Sequence, residues 1–280
     1  MSGQRKGKWA DVSAGHQDPL SYAVSMRDRS VIDMVKLAVS HKQIMLAYQP
    51  VVSASEPTRV AFYEGLIRVL DETGRIIPAR EFIEAIETTE TGRLVDCLAL
   101  EKGLKTLSAH PDLRLSINMS ARSIGYSRWT RTLRRGLGLD STIAERLILE
   151  ITESSAMMVP ELVIGFMEEL QTKGISFALD DFGAGFTSFR YLKEFFFDIL
   201  KIDGQFVRGI AQDPDNQVLT GALASIGRQF DMFTVAESVE KAEDAAYLAE
   251  IGIDCLQGYY FGAPTVRPGW LNVNGQKASA

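Results

Sequence analysis

The chain has 280 residues, 46% of them hydrophobic and 24% charged, with a net charge of −6. That balance excludes bulk disorder, and the acidic total excludes binding of nucleic-acid polymers through a general basic field. No apolar run reaches the roughly 20 residues that a bilayer span needs.

The opening stretch, MSGQRKGKWADVSAGHQDPL, is polar and lacks the apolar region of a secretory signal. We read residues 1–25 as a loosely ordered tail and expect a cytoplasmic protein. The first helical pattern is RDRSVIDMVKLAVSHKQ, with apolar residues at Val31, Ile32, Met34, Val35, Leu37 and Ala38. Strand-like runs follow at 44–52, 59–70, 114–120, 146–154, 175–182, 198–203, 233–238 and 254–261. The first two are joined by the short polar segment SASEPTR, which predicts a hairpin and an antiparallel pair. Every later gap holds a helical segment; PELVIGFMEELQTKG stops at Gly174 and EDAAYLAEIG at Gly252, both suited to a helix end. Strands alternating with helices predict parallel pairing with right-handed crossovers. The expected fold is α/β: a modified TIM (β/α)₈ barrel over residues 26–268, irregular at its first strand, followed by a tail at 269–280.

One segment, SARSIGYSRWTRTLRRGLGL, is rich in arginine (Arg122, Arg128, Arg131, Arg134, Arg135). Trp129, Leu133 and Leu137 recur every fourth residue in it, so we expect a single helix with one core face and the arginines in solvent. Cys97 and Cys255 lie in apolar patterns and read as buried free thiols. His16, His41 and His110 have no zinc spacing. A bound metal would therefore have mainly oxygen ligands, which favours magnesium or manganese.

In a barrel of this kind catalytic groups come from the C-terminal ends of the strands. There the chain places Glu64 and Arg68, Asn118, Glu150 and Glu153, Asp180 and Asp181, Lys201 and Asp203, Glu237, and Gln257. Any one of these could be a satisfied strand-end polar group; their joint occurrence is harder to explain that way. Leu149 and Ile151 flank Glu150, and Leu200 and Ile202 flank Lys201, so alternation turns each charged side chain away from its apolar neighbours, toward the barrel axis. Carboxylates converging there repel one another and resist burial unless cations compensate them. Asp180 keeps the inward phase of Ala178, and Asp181 is expected where the strand gives way to loop, with Gly183 and Gly185 freeing the backbone. Asp180 could then bridge two metals and Asp181 bind one from the side, the usual apparatus for in-line displacement at phosphorus. Lys201 and Arg68 are the cations at hand. Asp181-Phe182-Gly183 matches the magnesium motif of protein kinases, but the chain has no glycine-rich phosphate loop and no His-Arg-Asp loop. Nor do its histidines and cysteines lie where a nucleophilic triad needs them.

Taken together, AYQPVV, YEGLIR, PAREFIEAIE, LSINMSARS, LEITES, ALDDFGAGFTSFRYL, LKIDGQFV, TVAESVE and LQGYYFGAP resemble the EAL-domain family of bacterial cyclic di-GMP phosphodiesterases, from about Ile44 to Pro264. The resemblance implies a barrel with an antiparallel first strand. It also implies hydrolysis of one phosphodiester of cyclic di-GMP to linear pGpG, with two Mg²⁺ or Mn²⁺ ions per active site. Carried over by position, Glu64, Asn118, Glu150 and Asp180 resemble the ligands of one metal, and Asp180, Asp181 and Glu237 those of the other. Lys201 resembles the catalytic lysine, Gln257 the residue near the attacking water, and Arg68 the arginine that holds a substrate phosphate. Leu66, Pro78 and Gln49 (which follows Tyr48 in AYQPVV) resemble further substrate contacts. Glu153 resembles the glutamate that steadies the loop GAGFTSFRYL, which in the family lies near a homodimer interface and couples dimerisation to metal binding. Three positions depart from the family pattern: Gly65 replaces the alanine of Glu-Ala-Leu, Ile86 replaces an alanine, and Ser238 replaces a glycine. None removes a ligand or the lysine. The alternative is a catalytically weak EAL module serving as a cyclic di-GMP receptor or protein-interaction domain.

Overall fold

A computed structural model describes residues 19–185 and 189–272. Eight strands close into a ring: β1 (Ile44–Ser53), β2 (Val60–Leu70), then β4 (Leu115–Asn118), β5 (Leu147–Thr152), β6 (Ser176–Phe182), β7 (Ile199–Ile202), β8 (Phe233–Ala236) and β9 (Cys255–Gln257); β3 (Ile76–Pro78) is an extra strand on β2. From β2 through β9 each pairing around the ring is parallel. β1 is antiparallel to both its neighbours, β2 and β9, so the hairpin read from SASEPTR closes the barrel. The eight expected strands are all present, and the fold is the modified TIM barrel.

The apolar core has two parts. Outside the ring, Leu115, Ile117, Leu149, Ile151, Phe177, Leu179 and Leu200 pack against the surrounding helices. Inside it, Val51, Phe62, Ile148, Ala178, Ile199 and Val235 form a plug. The burial of alternate residues on opposite faces is what the strand period demands.

Several details differ from the expectations. The first helix spans Pro19–Ser40 and so starts ahead of Arg27. The strand β3 has three residues, too few to show a period. The arginine-rich segment is not one helix: Ala121–Ser123 is a 3₁₀ turn, Gly125 takes φ +76°, and the helix runs Ser127–Leu137 with Trp129 and Leu133 buried. A left-handed residue cannot continue a right-handed helix, so Gly125 divides the segment. The run ending at Ser154 stops as a strand at Thr152, whose hydroxyl accepts from the Ser155 amide (3.3 Å) and starts the helix Glu153–Met158. Residues 269–272, read as part of a tail, form a helical turn in which Trp270 packs edge-on against Tyr48, Tyr63 and His110. Of the two expected tails, residues 1–18 and 273–280 lie outside the described residues, as do residues 186–188 of the GAGFTSFRYL loop. Among the described residues no helix is long and apolar enough to cross a membrane.

Candidate active site

The interior plug explains where the polar side chains go. Two residues beyond Phe62, Ile148, Ala178, Ile199 and Val235 stand Glu64, Glu150, Asp180, Lys201 and Glu237. With a period of two, each keeps its predecessor's inward direction one step nearer the C-terminal mouth. A polar layer therefore lies directly on an apolar one.

Lys201 is the centre of that layer and is fully buried. Its Nζ lies 2.7 Å from Glu150 Oε2, 2.8 Å from Glu237 Oε1, 2.9 Å from Asp180 Oδ1 and 3.5 Å from Glu64 Oε2. The contact to Asp180 is an ion pair without hydrogen-bond geometry. Glu64 is further held by Asn118 Nδ2 (2.7 Å to Oε1) and Gln257 Nε2 (2.6 Å to Oε2). Gln257 also donates to Gln49 Oε1 (3.2 Å), and Gln49 Nε2 donates to the Gly262 carbonyl (3.1 Å).

Asp181 enters the site differently from the expectation. The strand does not end there: β6 resumes pairing at Phe182 opposite Ile202, after a register break between Leu179 and Phe182. Asp181 takes φ +55° inside this irregularity. Such a bulge breaks the two-residue alternation, and aspartate tolerates the left-handed region better than most residues. Consecutive carboxylates thereby reach one place, and Asp180, Asp181 and Glu237 each bring an oxygen within 4.8 Å of the others.

The electrostatics record a shortage of positive charge. Burial alone would lower the Lys201 ammonium, but Asp180, Glu150, Glu237 and Glu64 outweigh it and hold the group well above the usual lysine range. Burial raises Glu64, but Lys201 and the bonds from Gln257 and Asn118 overcome it and leave this carboxyl below its ordinary value. Glu150 is pushed up to about 8 by burial and by Glu64, despite Lys201. Glu237 is raised well above its ordinary range, chiefly by burial. Burial and the adjacent Asp180 carry Asp181 to about 6. Glu150 Oε1 is buried with no hydrogen-bond partner among the described residues. One ammonium does not neutralise five carboxylates. A cluster of hard anionic oxygens with an orphaned buried oxygen fits divalent magnesium or manganese.

A family model for the EAL domain matches residues 32–264. The chain belongs to the EAL-domain family. It is 31% identical over 231 residues to the cyclic di-GMP phosphodiesterase PdeB of Shewanella oneidensis, a match covering 81% of this chain and 27% of PdeB. It is 29% identical over 235 residues to the bifunctional diguanylate cyclase/cyclic di-GMP phosphodiesterase MucR of Pseudomonas aeruginosa, covering 82% of this chain and 34% of MucR. The chain thus spans about a quarter to a third of the length of these relatives. Among solved structures, the MucR phosphodiesterase in complex with c-di-GMP superposes with a TM-score of 0.78 at 28% identity, covering 87% of this chain and all of that one. The c-di-GMP-bound EAL domain of FimX from P. aeruginosa gives 0.76 at 25% identity, covering 84% of this chain and 96% of that one.

In this EAL domain the carboxylate layer opens into a cleft of about 690 Å³. Arg68, Leu66 and Pro78 line it. Arg68 donates to the Ile67 carbonyl (2.9 Å), and Pro78 pairs opposite it in β3. Glu153 stands apart from the metal-like cluster: its Oε2 accepts from the Gly183 amide (3.1 Å), fastening the start of the loop after β6. Asp203 does not join the cluster either; it accepts from the Gln205 amide (2.7 Å) and caps the turn Gly204–Val207.

The departure at Gly65 has a packing cause. A Cβ there would lie 2.7 Å from Ile117 Cδ1 and 3.2 Å from the Ser116 carbonyl oxygen. Ile117 of β4 occupies the room an alanine methyl would take.

The cleft also contains residues that sequence reasoning passed over: Arg80, Asp96, Arg208 and Tyr259. Asp96 sits on the helix Glu90–Ala109, where Oδ2 accepts from the Ser123 hydroxyl (2.6 Å) and the Ser120 amide (3.1 Å). Burial pushes its carboxyl up to about 7. The one signal for it in the sequence is a charge set between Val95 and Cys97, both buried.

Proposed function

We propose that this EAL domain hydrolyses cyclic di-GMP to linear pGpG with two bound Mg²⁺ or Mn²⁺ ions. The observation that carries the reading is the buried Lys201 among Glu64, Glu150, Asp180 and Glu237, with Asp181 brought alongside by the bulge in β6. Glu64, Asn118, Glu150 and Asp180 would hold one cation, and Asp180, Asp181 and Glu237 the second. Bound there, such a pair supplies Lewis acidity and an activated water. The chain's own groups do the rest. Arg68 grips a substrate phosphate with the fork geometry that guanidinium offers to phosphate oxygens. Leu66, Pro78 and Gln49 shape the cleft around the ligand. Lys201 stabilises charge that develops at phosphorus, and Gln257 orients the attacking water. Water adds across one P–O3′ bond: the new P–O bond leaves a 5′-phosphate, and the departing 3′-oxygen takes the proton. Glu153 holds the loop after β6 in place. A homodimer and a cytoplasmic setting belong to the same reading and rest on the family resemblance.

Chromatography of cyclic di-GMP incubated with the protein tests it. With Mg²⁺ or Mn²⁺ the wild type should yield pGpG, and a chelator should stop the reaction. Lys201→Ala and Glu64→Ala should each lower turnover by at least ~100-fold. Substrate left intact with both metals overturns the hydrolase; unimpaired binding without product supports the receptor alternative.

A further inference from the structure

Ser238 is one of four non-glycine residues with positive φ among the described residues (φ +57°), and it follows Glu237 in the cleft. A side chain in this region is strained and persists only where its surroundings fix it. Here the hydroxyl accepts from Arg208 Nη2 at 3.0 Å. Gly204 makes the arrangement possible. Its backbone is not left-handed, so no dihedral demands glycine. A Cβ there, however, would lie 2.4 Å from Ser238 Oγ and 3.2 Å from Arg208 Nη2. The three residues form one unit: a missing side chain makes room, a strained serine fills it, and a guanidinium is held on the cleft wall.

In the ring, the strand that leads into Arg208 stands opposite the one that carries Arg68. Between β2, which carries Arg68, and β7, which leads into Arg208, stand β1, β9 and β8 on one side and β4, β5 and β6 on the other. The carboxylate layer lies between them at the axis. Arg208 is 59% exposed, and it pairs with Glu240 at 3.8 Å, too far for a hydrogen bond. Nη2 keeps one donor on Ser238, and the other N–H groups of the guanidinium are left for a ligand in the cleft it lines. A cyclic dinucleotide whose phosphodiester lies over the axis extends its bases outward to the rim.

Resting on the phosphodiesterase reading, we propose that Arg208, positioned by Ser238, reads the O6 and N7 acceptors of one guanine and so sets the base specificity of the site. The bidentate match between guanidinium and this edge is the commonest specific contact to guanine, and adenine replaces O6 with a donor.

Binding of cyclic di-GMP and of cyclic di-AMP, measured by calorimetry with Ca²⁺ in place of Mg²⁺, tests this. Arg208→Ala should weaken cyclic di-GMP roughly tenfold or more and leave cyclic di-AMP unchanged, collapsing the discrimination ratio. Arg208→Lys should not restore the ratio, because an ammonium lacks the fork. Ser238→Gly should lower the ratio in the same direction by less. An unchanged ratio in Arg208→Ala, or equal weakening of both nucleotides, overturns the proposal while leaving the phosphodiesterase reading intact. A wild type that binds neither nucleotide overturns that reading, and this proposal with it.

Discussion

Lys201 shows how a side chain's role follows from its address. An ammonium buried alone would lose its proton; surrounded by Asp180, Glu150, Glu237 and Glu64 it keeps it. Asp96 is the opposite case, a carboxyl without a cation, carried from 3.8 to about 7 by burial. The folded state therefore binds this proton more tightly than the unfolded chain does. Its cost is absent below pH 3.8, grows as pH rises, and is fully present above about 7. Asp96→Asn cannot titrate and can still accept from Ser123. Its melting temperature relative to wild type should rise between pH 5 and pH 8; an equal difference at both values would show that Asp96 is not the titrating group. The contrast also explains what the sequence revealed. Glu150, Asp180 and Lys201 were legible because strand alternation marks which way each one points, and Glu64, Glu237 and Gln257 because they are polar residues near the ends of apolar strand runs. Asp96 and Arg208 come from a helix and a loop, where no such alternation shows that a side chain faces the cleft.

At the scale of elements, β6 carries the least regular geometry near the site. Its bulge at Asp180 and Asp181 could not be read from spacing, since a regular strand and a bulged one have the same sequence period up to the break. The adjacent charges were the visible sign: the sequence placed the loss of alternation at Asp181 but read it as the passage from strand to loop, not as a bulge after which pairing resumes at Phe182. β2 and β4 meet through Gly65 and Ile117, and Gly103 on the helix behind them would also meet Ile117, at 2.8 Å from a Cβ. Ile117 thus fills space between two glycines. Restoring alanine at 65 requires the Ile117 Cδ1 tip to turn aside and sets the methyl 3.2 Å from the Ser116 carbonyl oxygen, so it should cost about 1 kcal/mol, at the low end of overpacking, in denaturant unfolding. Ile117→Val removes the Cδ1 carbon and by itself costs roughly 0.5–1.5 kcal/mol. In the double variant the two losses should sum to less than their separate values; strict additivity would mean that Ile117 is not what excludes the methyl.

The whole barrel brings groups from nearly every strand to one mouth, with the apolar plug below them and the cleft above. Its eight strands and the antiparallel first pair were legible because each lay in a longer apolar run bounded by distinct polar or helical segments. β3 and the turn at Trp270 stand in no such run; β3 is a short addition to the edge of β2, and the place of Trp270 depends on Tyr48, Tyr63 and His110, far back along the chain. What the assembled mouth is for turns on whether its carboxylates hold two cations. Anomalous diffraction from a crystal of the protein soaked in Mn²⁺ measures this directly. Two peaks should flank Asp180, roughly 3.5–4 Å apart, one beside Glu64 and Glu150 and the other beside Asp181 and Glu237. A single peak, or none within reach of Asp180, would contradict the dinuclear centre.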